Sequence, residues 1–283
     1  MTDTGFGVDG TVQDDVKPAG PAVVYRHRLA TRVWHWTNVV TLFIMLMSGL
    51  TIFNAHPRLY WGQYGANHDH AWLQIGSADN RGYLRVGEAT VDTTGVLGRW
   101  TNASGNTVNR AFPYWATIPS SYNLAVARHW HLFFAWIFAA GILLYALWSL
   151  FSRHLTRDLL PTRKEIAPAH IIHDVAQHAR LRFPKGEAAR RYNVLQKLSY
   201  CGVLLVLLPA VVLTGLTMSP AMNAAWPFLL EIFGGRQSAR SIHFIAATLL
   251  VLFILVHVAM VVLAGPINEI RSMITGRYRL PKE

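Results

Sequence analysis

The sequence predicts an all-α integral membrane protein, a bundle of four transmembrane helices with both termini cytoplasmic. Three observations lead there. Four long apolar stretches contain no Lys, Arg, Asp or Glu. The basic residues are unequally shared between the segments that join these stretches. Histidines, which are expensive in hydrocarbon, recur near the ends of the apolar stretches.

Each stretch is long enough to cross about 30 Å of hydrocarbon, which takes about 20 helical residues. The predicted helices are 33–53, 131–151, 198–218 and 242–264. The chain is 52% hydrophobic and only 14% charged, as a membrane bundle requires. Residues 1–22, rich in Gly, Asp, Thr and Pro, read as a disordered cytoplasmic tail. They also separate the first apolar stretch from the start of the chain, so it reads as a retained anchor and not a cleaved signal.

Residues 23–275 form the predicted membrane domain, and 276–283 a second cytoplasmic tail. The long loop 54–130 reads as periplasmic. Its middle, 76–109, carries short alternating runs around Tyr83 and Val91 among Gly, Thr and Asn, which suggests a small irregular or hairpin subdomain. The loop 152–193 reads as cytoplasmic, with His154, His170, His173 and His178 as solvated loop histidines. A short outer loop, 219–240, joins helices three and four.

The net charge of +11 could suggest a nucleic-acid partner, but its distribution excludes one. Most of the 26 Lys and Arg residues fall on the side of the two termini. The opposite side holds Arg58, Arg81, Arg85, Arg99, Arg110, Arg128, Arg236 and Arg240, spread over longer loops. This is the positive-inside bias of a multi-pass protein of the bacterial cytoplasmic membrane, with some attraction to anionic lipid.

His243 and His257 lie fourteen residues apart in the fourth stretch. At about 3.6 residues per turn and 1.5 Å per residue they share one helix face, separated by roughly 21 Å. His35 opens the first stretch at the cytoplasmic side, and His129 and His131 open the second at the outer side. Two levels result, His35 with His257 towards the cytoplasm and His243 with His131 or His129 towards the outside. His129 and His131 point about 200° apart on a helix, so one serves and the deeper His131 is preferred.

Two neutral imidazoles at each level can ligate a low-spin haem. The single cysteine, Cys201, allows no Cys-x-x-Cys-His attachment, so two b-type, non-covalent haems are expected. Gly49, fourteen residues after His35, could let a porphyrin edge approach, or it could serve ordinary small-residue helix packing. Gly141, Gly202 and Gly215 could act in the same way. Arg32, Arg128 and Arg240 could pair with propionates. His27 reads as interfacial, His56 as a turn residue, and Met45 and Met47 as packing residues.

Several segments resemble the bacterial di-haem cytochrome b family, the membrane subunits of Ni/Fe-hydrogenase, formate dehydrogenase and thiosulfate reductase. They are Arg32-Val33-Trp34-His35-Trp36, the stretch from Ala127 to Trp136, Arg191-Tyr192-Asn193-Val194-Leu195-Gln196-Lys197, and Ser238 to His243 running on to His257. The resemblance spans roughly residues 25–275 and is nearest the thiosulfate-reductase-like branch. It implies a bundle holding two b haems, with ligands His35, His131, His243 and His257. It also implies electron transfer between the quinone pool and a periplasmic molybdopterin or other redox subunit. Finally, it implies a quinone site at the start of helix three, at Asn193, Gln196 and Lys197. On their residue types alone these three supply hydrogen-bond donors, and equally could cap the helix. Two rival readings stand beside this one: a self-contained superoxide- or ascorbate-type cytochrome b, and a haem-free transporter. The transporter would want acids in its helices, and there are none.

Overall fold

The computed structural model describes residues 23–180 and 193–280, except for the side chains of His178 and Ala179. The expected 1–22 tail, the basic stretch 181–192 and the last three residues lie outside the described residues.

Four helices are long and apolar enough to span a membrane: Leu29–Phe53 (α1), Leu124–Phe151 (α2), Val194–Met218 and Arg236–Ala264 (α8). The third is built from α4 (Val194–Gly202) and α5 (Leu208–Met218), joined by a π-turn over Val203–Leu207. All four start four to seven residues earlier than hydropathy predicts. At the heads of the second and third spans the reason is local: polar side chains satisfy the first backbone N–H groups, so the helix extends past the apolar run. Asn123 accepts from Val126 N–H at the head of α2. Asn193 and Gln196 form a reciprocal capping box at the head of α4. The first N–H groups of α8 are satisfied from far away in sequence. Gly62 O accepts from Gln237 and Ser238 N–H, and Gln63 Oε1 accepts from Arg236 N–H.

α1 packs closely on α2, and α5 on α8. The core between the spans is formed by Phe138, Leu208, Val211, Ala246 and Leu250, with Trp34, Leu42 and Met45 packed against it. Large apolar side chains on the outer faces, such as Phe43, Phe133, Leu144 and Leu255, stay exposed. In water such a surface would be a liability; in lipid it is the solvated face.

The loop on one side of the bundle is more regular than its sequence suggests. Strands β2 (Arg58–Leu59), β3 (Leu73–Ala78), β4 (Arg81–Val86) and β5 (Ala89–Asp92) form an antiparallel sheet in that order. The β3–β4 turn places Asp79 and Asn80 at φ 49° and 62°, the left-handed pair of a tight hairpin. β6 (Trp100–Thr101) pairs with β7 (Thr107–Val108). A second core, Phe53, Leu59, Leu73, Ile75 and Ala111 with Phe244 against it, seats this subdomain on the ends of α1 and α8.

On the other side, β1 (Val23–Tyr25) pairs with β8 (Arg277–Arg279), so both described ends of the chain meet on one face. Residues 277–279, read from sequence as tail, are thus ordered. Between α8 and β8 lies the short helix α9 (Pro266–Thr275), the loop after α2 carries α3 (Pro168–Ala179), and the loop between α5 and α8 carries the short helices α6 (Pro220–Ala225) and α7 (Phe228–Ile232).

Candidate functional site

The bundle opposes imidazoles at two depths. On the face of the chain ends, His35 of α1 and His257 of α8 stand with ring centroids 6.3 Å apart and planes at 61°. Towards the loop subdomain, His131 of α2 and His243 of α8 stand 6.4 Å apart at 62°. A transition metal bonded at about 2 Å to one nitrogen of each of two facing imidazoles would set their centroids about 6 Å apart. Both pairs have that spacing. His129, the alternative on α2, is exposed and points away.

The pair near the loop is held from behind. His131 Nδ1 lies 3.0 Å from Met45 O and 3.2 Å from Ser48 Oγ. A carbonyl only accepts, so Nδ1 carries the proton and the Nε2 lone pair is left for a metal. His243 Nδ1 lies 3.0 Å from Thr214 Oγ1. Small residues make these contacts possible. A Cβ on Gly49 would come within 3.3 Å of His131 Cε1, and one on Gly215 within 3.6 Å of His243 Cε1. Gly49 therefore makes room for an imidazole; the sequence had left open a porphyrin edge or ordinary small-residue helix packing. Gly141 faces Trp34, and a Cβ on Gly202 would meet nothing within 4 Å.

The other pair is built differently. Phe253 stacks on His257, one turn back along α8, with planes 14° apart. Among the described residues, His35 Nδ1 is buried with no hydrogen-bond partner. Facing imidazoles at this spacing fit a b-type haem at each level, and small residues leave room at the ring edges of the His131–His243 pair. Cys201 donates its thiol S–H to Leu159 O at 3.5 Å.

Among the neighbours, His27 and His154 differ from their expected roles. His27, expected at the interface, is buried, and burial together with Arg26, His35 and Arg32 pushes its pKa down to about 4. His154, expected in solvent, is also buried. Its Nδ1 lies 2.6 Å from Asp158 Oδ2, and its ring packs on Trp148 and Tyr145, because the chain turns back against the end of α2. His56 stacks on Tyr60, and its carbonyl accepts from Arg240 at 2.5 Å. Arg32 donates to Ile274 O at 2.5 Å, so two of the three arginines considered for propionates hold backbone carbonyls, while Arg128 is exposed. Met45 presents its carbonyl, not its thioether, to His131.

Asn193 Oδ1 accepts from Gln196 N–H at 2.8 Å, and Gln196 Oε1 accepts from Asn193 N–H at 3.3 Å. Their side-chain oxygens thus cap the third span. Lys197 Nζ pairs with Glu165 at 2.8 and 3.0 Å. This pairing and a bond from Thr162 N–H hold the Glu165 pKa down at about 2.

Ser48 and Thr214 are the site residues that sequence reading missed. Their signal was present: a hydroxyl residue followed by glycine, Ser48-Gly49 in the first span and Thr214-Gly215 in the third. These are the two spans that pack against the helices bearing His131 and His243.

Four spanning helices with paired imidazoles and no thioether motif make up a membrane cytochrome of the b type. The chain belongs to the prokaryotic cytochrome b561 family, whose family model matches residues 26–276. Members of this family bind b-type haem and act as membrane electron-transfer subunits, and this chain is accordingly a multi-pass protein of the bacterial inner membrane. It is also similar to a protein of Azospira oryzae described as "Putative protein-methionine-sulfoxide reductase subunit YedZ1". The two are 26% identical over 245 residues, which cover 87% of this chain and 93% of the relative.

Proposed function

We propose that this chain is a di-haem cytochrome b subunit of a respiratory chain, carrying electrons between membrane quinone and a periplasmic redox subunit, of the molybdopterin type. The observation that carries the reading is the pair of imidazole spacings, 6.3 and 6.4 Å, at two depths on one helix. In this reading His35 and His257 ligate one haem, and His131 and His243 the other. The haems would supply one-electron carriage from one membrane face to the other.

The chain's own residues do the rest. The four imidazoles orient the groups, and the surrounding apolar side chains keep the path dry. The loop subdomain, fastened over the His131–His243 end, offers the periplasmic partner a folded surface. That the similar Azospira protein is itself described as a reductase subunit supports a partner subunit for this chain as well. On the opposite, cytoplasmic face, Asn193 and Gln196 form the quinone site near His257. Their oxygens serve the helix cap, and both side chains also carry amide –NH2 donors of the kind a quinone carbonyl needs.

Purified protein extracted with acid–acetone should release all of its haem, at about two per chain. A value near zero or one overturns the di-haem reading.

A further inference from the structure

We propose that Ser48 and Thr214 are positioning residues that make the haem at His131 and His243 the harder of the two to reduce. The inference rests on the reading of those histidines as haem ligands.

The two hydroxyls are placed alike. Thr214 Oγ1 donates to Ala210 O at 2.5 Å and lies 3.0 Å from His243 Nδ1. Ser48 Oγ donates to Ile44 O at 2.7 Å and lies 3.2 Å from His131 Nδ1. A hydroxyl has one proton. With that proton committed to its own helix, the oxygen is an acceptor, and the imidazole must donate Nδ1–H to it. Both hydroxyl residues are buried at 0% exposure, so water does not compete for the oxygen.

The consequence is electronic. An imidazole that donates Nδ1–H to an oxygen has a fixed tautomer and a more basic Nε2. A more electron-rich ligand favours the oxidised metal, so the reduction potential falls. At the other level the opposite holds: among the described residues, His35 Nδ1 is buried without a hydrogen-bond partner. The asymmetry inclines an electron entering beside the loop subdomain towards the His35–His257 end.

Redox titration of the full-length, haem-loaded protein, followed by visible absorbance, tests this. Thr214→Val removes the side-chain acceptor and keeps the shape, while the Val211 carbonyl stays beside His243. It should raise the lower of the two midpoint potentials by roughly tenfold in the reduction equilibrium, about 59 mV for one electron, and leave the upper unchanged. Ser48→Ala should move the same transition in the same direction, with Met45 O still accepting from His131. Thr214→Ser should restore the wild-type value. Thr217→Val is the matched control: Thr217 is equally buried and donates to Leu213 O, but touches no histidine. It should shift neither potential.

The proposal is overturned if Thr214→Val and Ser48→Ala, with both haems present, leave the lower potential in place or move the upper one. It is also overturned if Thr217→Val produces the same shift. Should Thr214→Val fail to load haem, Ser48→Ala and Thr214→Ser decide the matter. Failure of the underlying ligand reading looks different: a His131→Ala protein would then keep both haems.

Discussion

Trp72 donates its indole N–H to Ser241 Oγ across 2.9 Å, and Ser241 in turn donates to Tyr60 O across 2.6 Å. This chain of bonds ties the strand subdomain to α8 two residues before His243. Ser241 and Tyr60 are buried, so neither bond has water as a substitute. Ser241→Ala would leave two buried groups unpaired, at about 1–3 kcal/mol each. The variant should melt several degrees lower and lose haem first at the His131–His243 end. A melting temperature equal to the wild type's would show that the fastening contributes nothing.

His131 and His129 face opposite ways on α2, the first towards His243 and the second outwards. His131→Ala should therefore abolish the spectrum of one haem, while His129→Ala should retain both. The reverse result would reassign the ligand.

Both described chain ends meet on one face, through β1 and β8. With the positive-inside bias, reporter fusions after Phe53 and Ser219 should be periplasmic, and fusions after Ser152 and at Glu283 cytoplasmic. A cytoplasmic reporter after Phe53 would take the strand subdomain away from any periplasmic partner.

Asn193→Ala and Gln196→Ala each remove a capping oxygen as well as an amide donor. Loss of one bond of the 1–3 kcal/mol kind should slow electron exchange with quinone by roughly one to two powers of ten, at about 1.4 kcal/mol per tenfold. Asn193→Asp keeps the cap and loses the donor, so it separates the two roles. Wild-type exchange in Asn193→Asp and Gln196→Ala would place the quinone elsewhere.

Glu165 is held at about 2 by Lys197 and Thr162 N–H, below the ordinary carboxylate value of 4.5. A depressed carboxylate stabilises the fold above its unfolded value. That contribution is present at neutral pH and is lost as pH falls from about 4.5 towards 2. The Glu165 side chain is 26% exposed, so the contribution is screened to about 1 kcal/mol or less. Protection of amides 162–165 from hydrogen exchange, relative to the intrinsic rate at each pH, should fall below pH 4.5 in the wild type. In Lys197→Met it should already be low at pH 7. Equal protection of the two proteins at neutral pH would remove the pair from the account of this face.

The membrane class, the four spans and the pairing of histidines by depth are one-dimensional properties. Hydropathy depends on composition along a run, and depth depends on residue count at a fixed helical rise, so both can be read along the chain. The hairpins of the loop were half legible, because alternation shows in sequence but strand partners do not. What no linear pattern contains is which side chain stands behind which imidazole. Ser48 reaches His131 across 83 residues and Thr214 reaches His243 across 29, and Gly62 caps a helix that begins at Arg236. The burial of His27 and His154, both polar in a polar stretch, has the same origin. Helix ends and ligand surroundings are set by bonds between segments distant in sequence, and only the packing of α1 on α2 and of α5 on α8 brings those segments together.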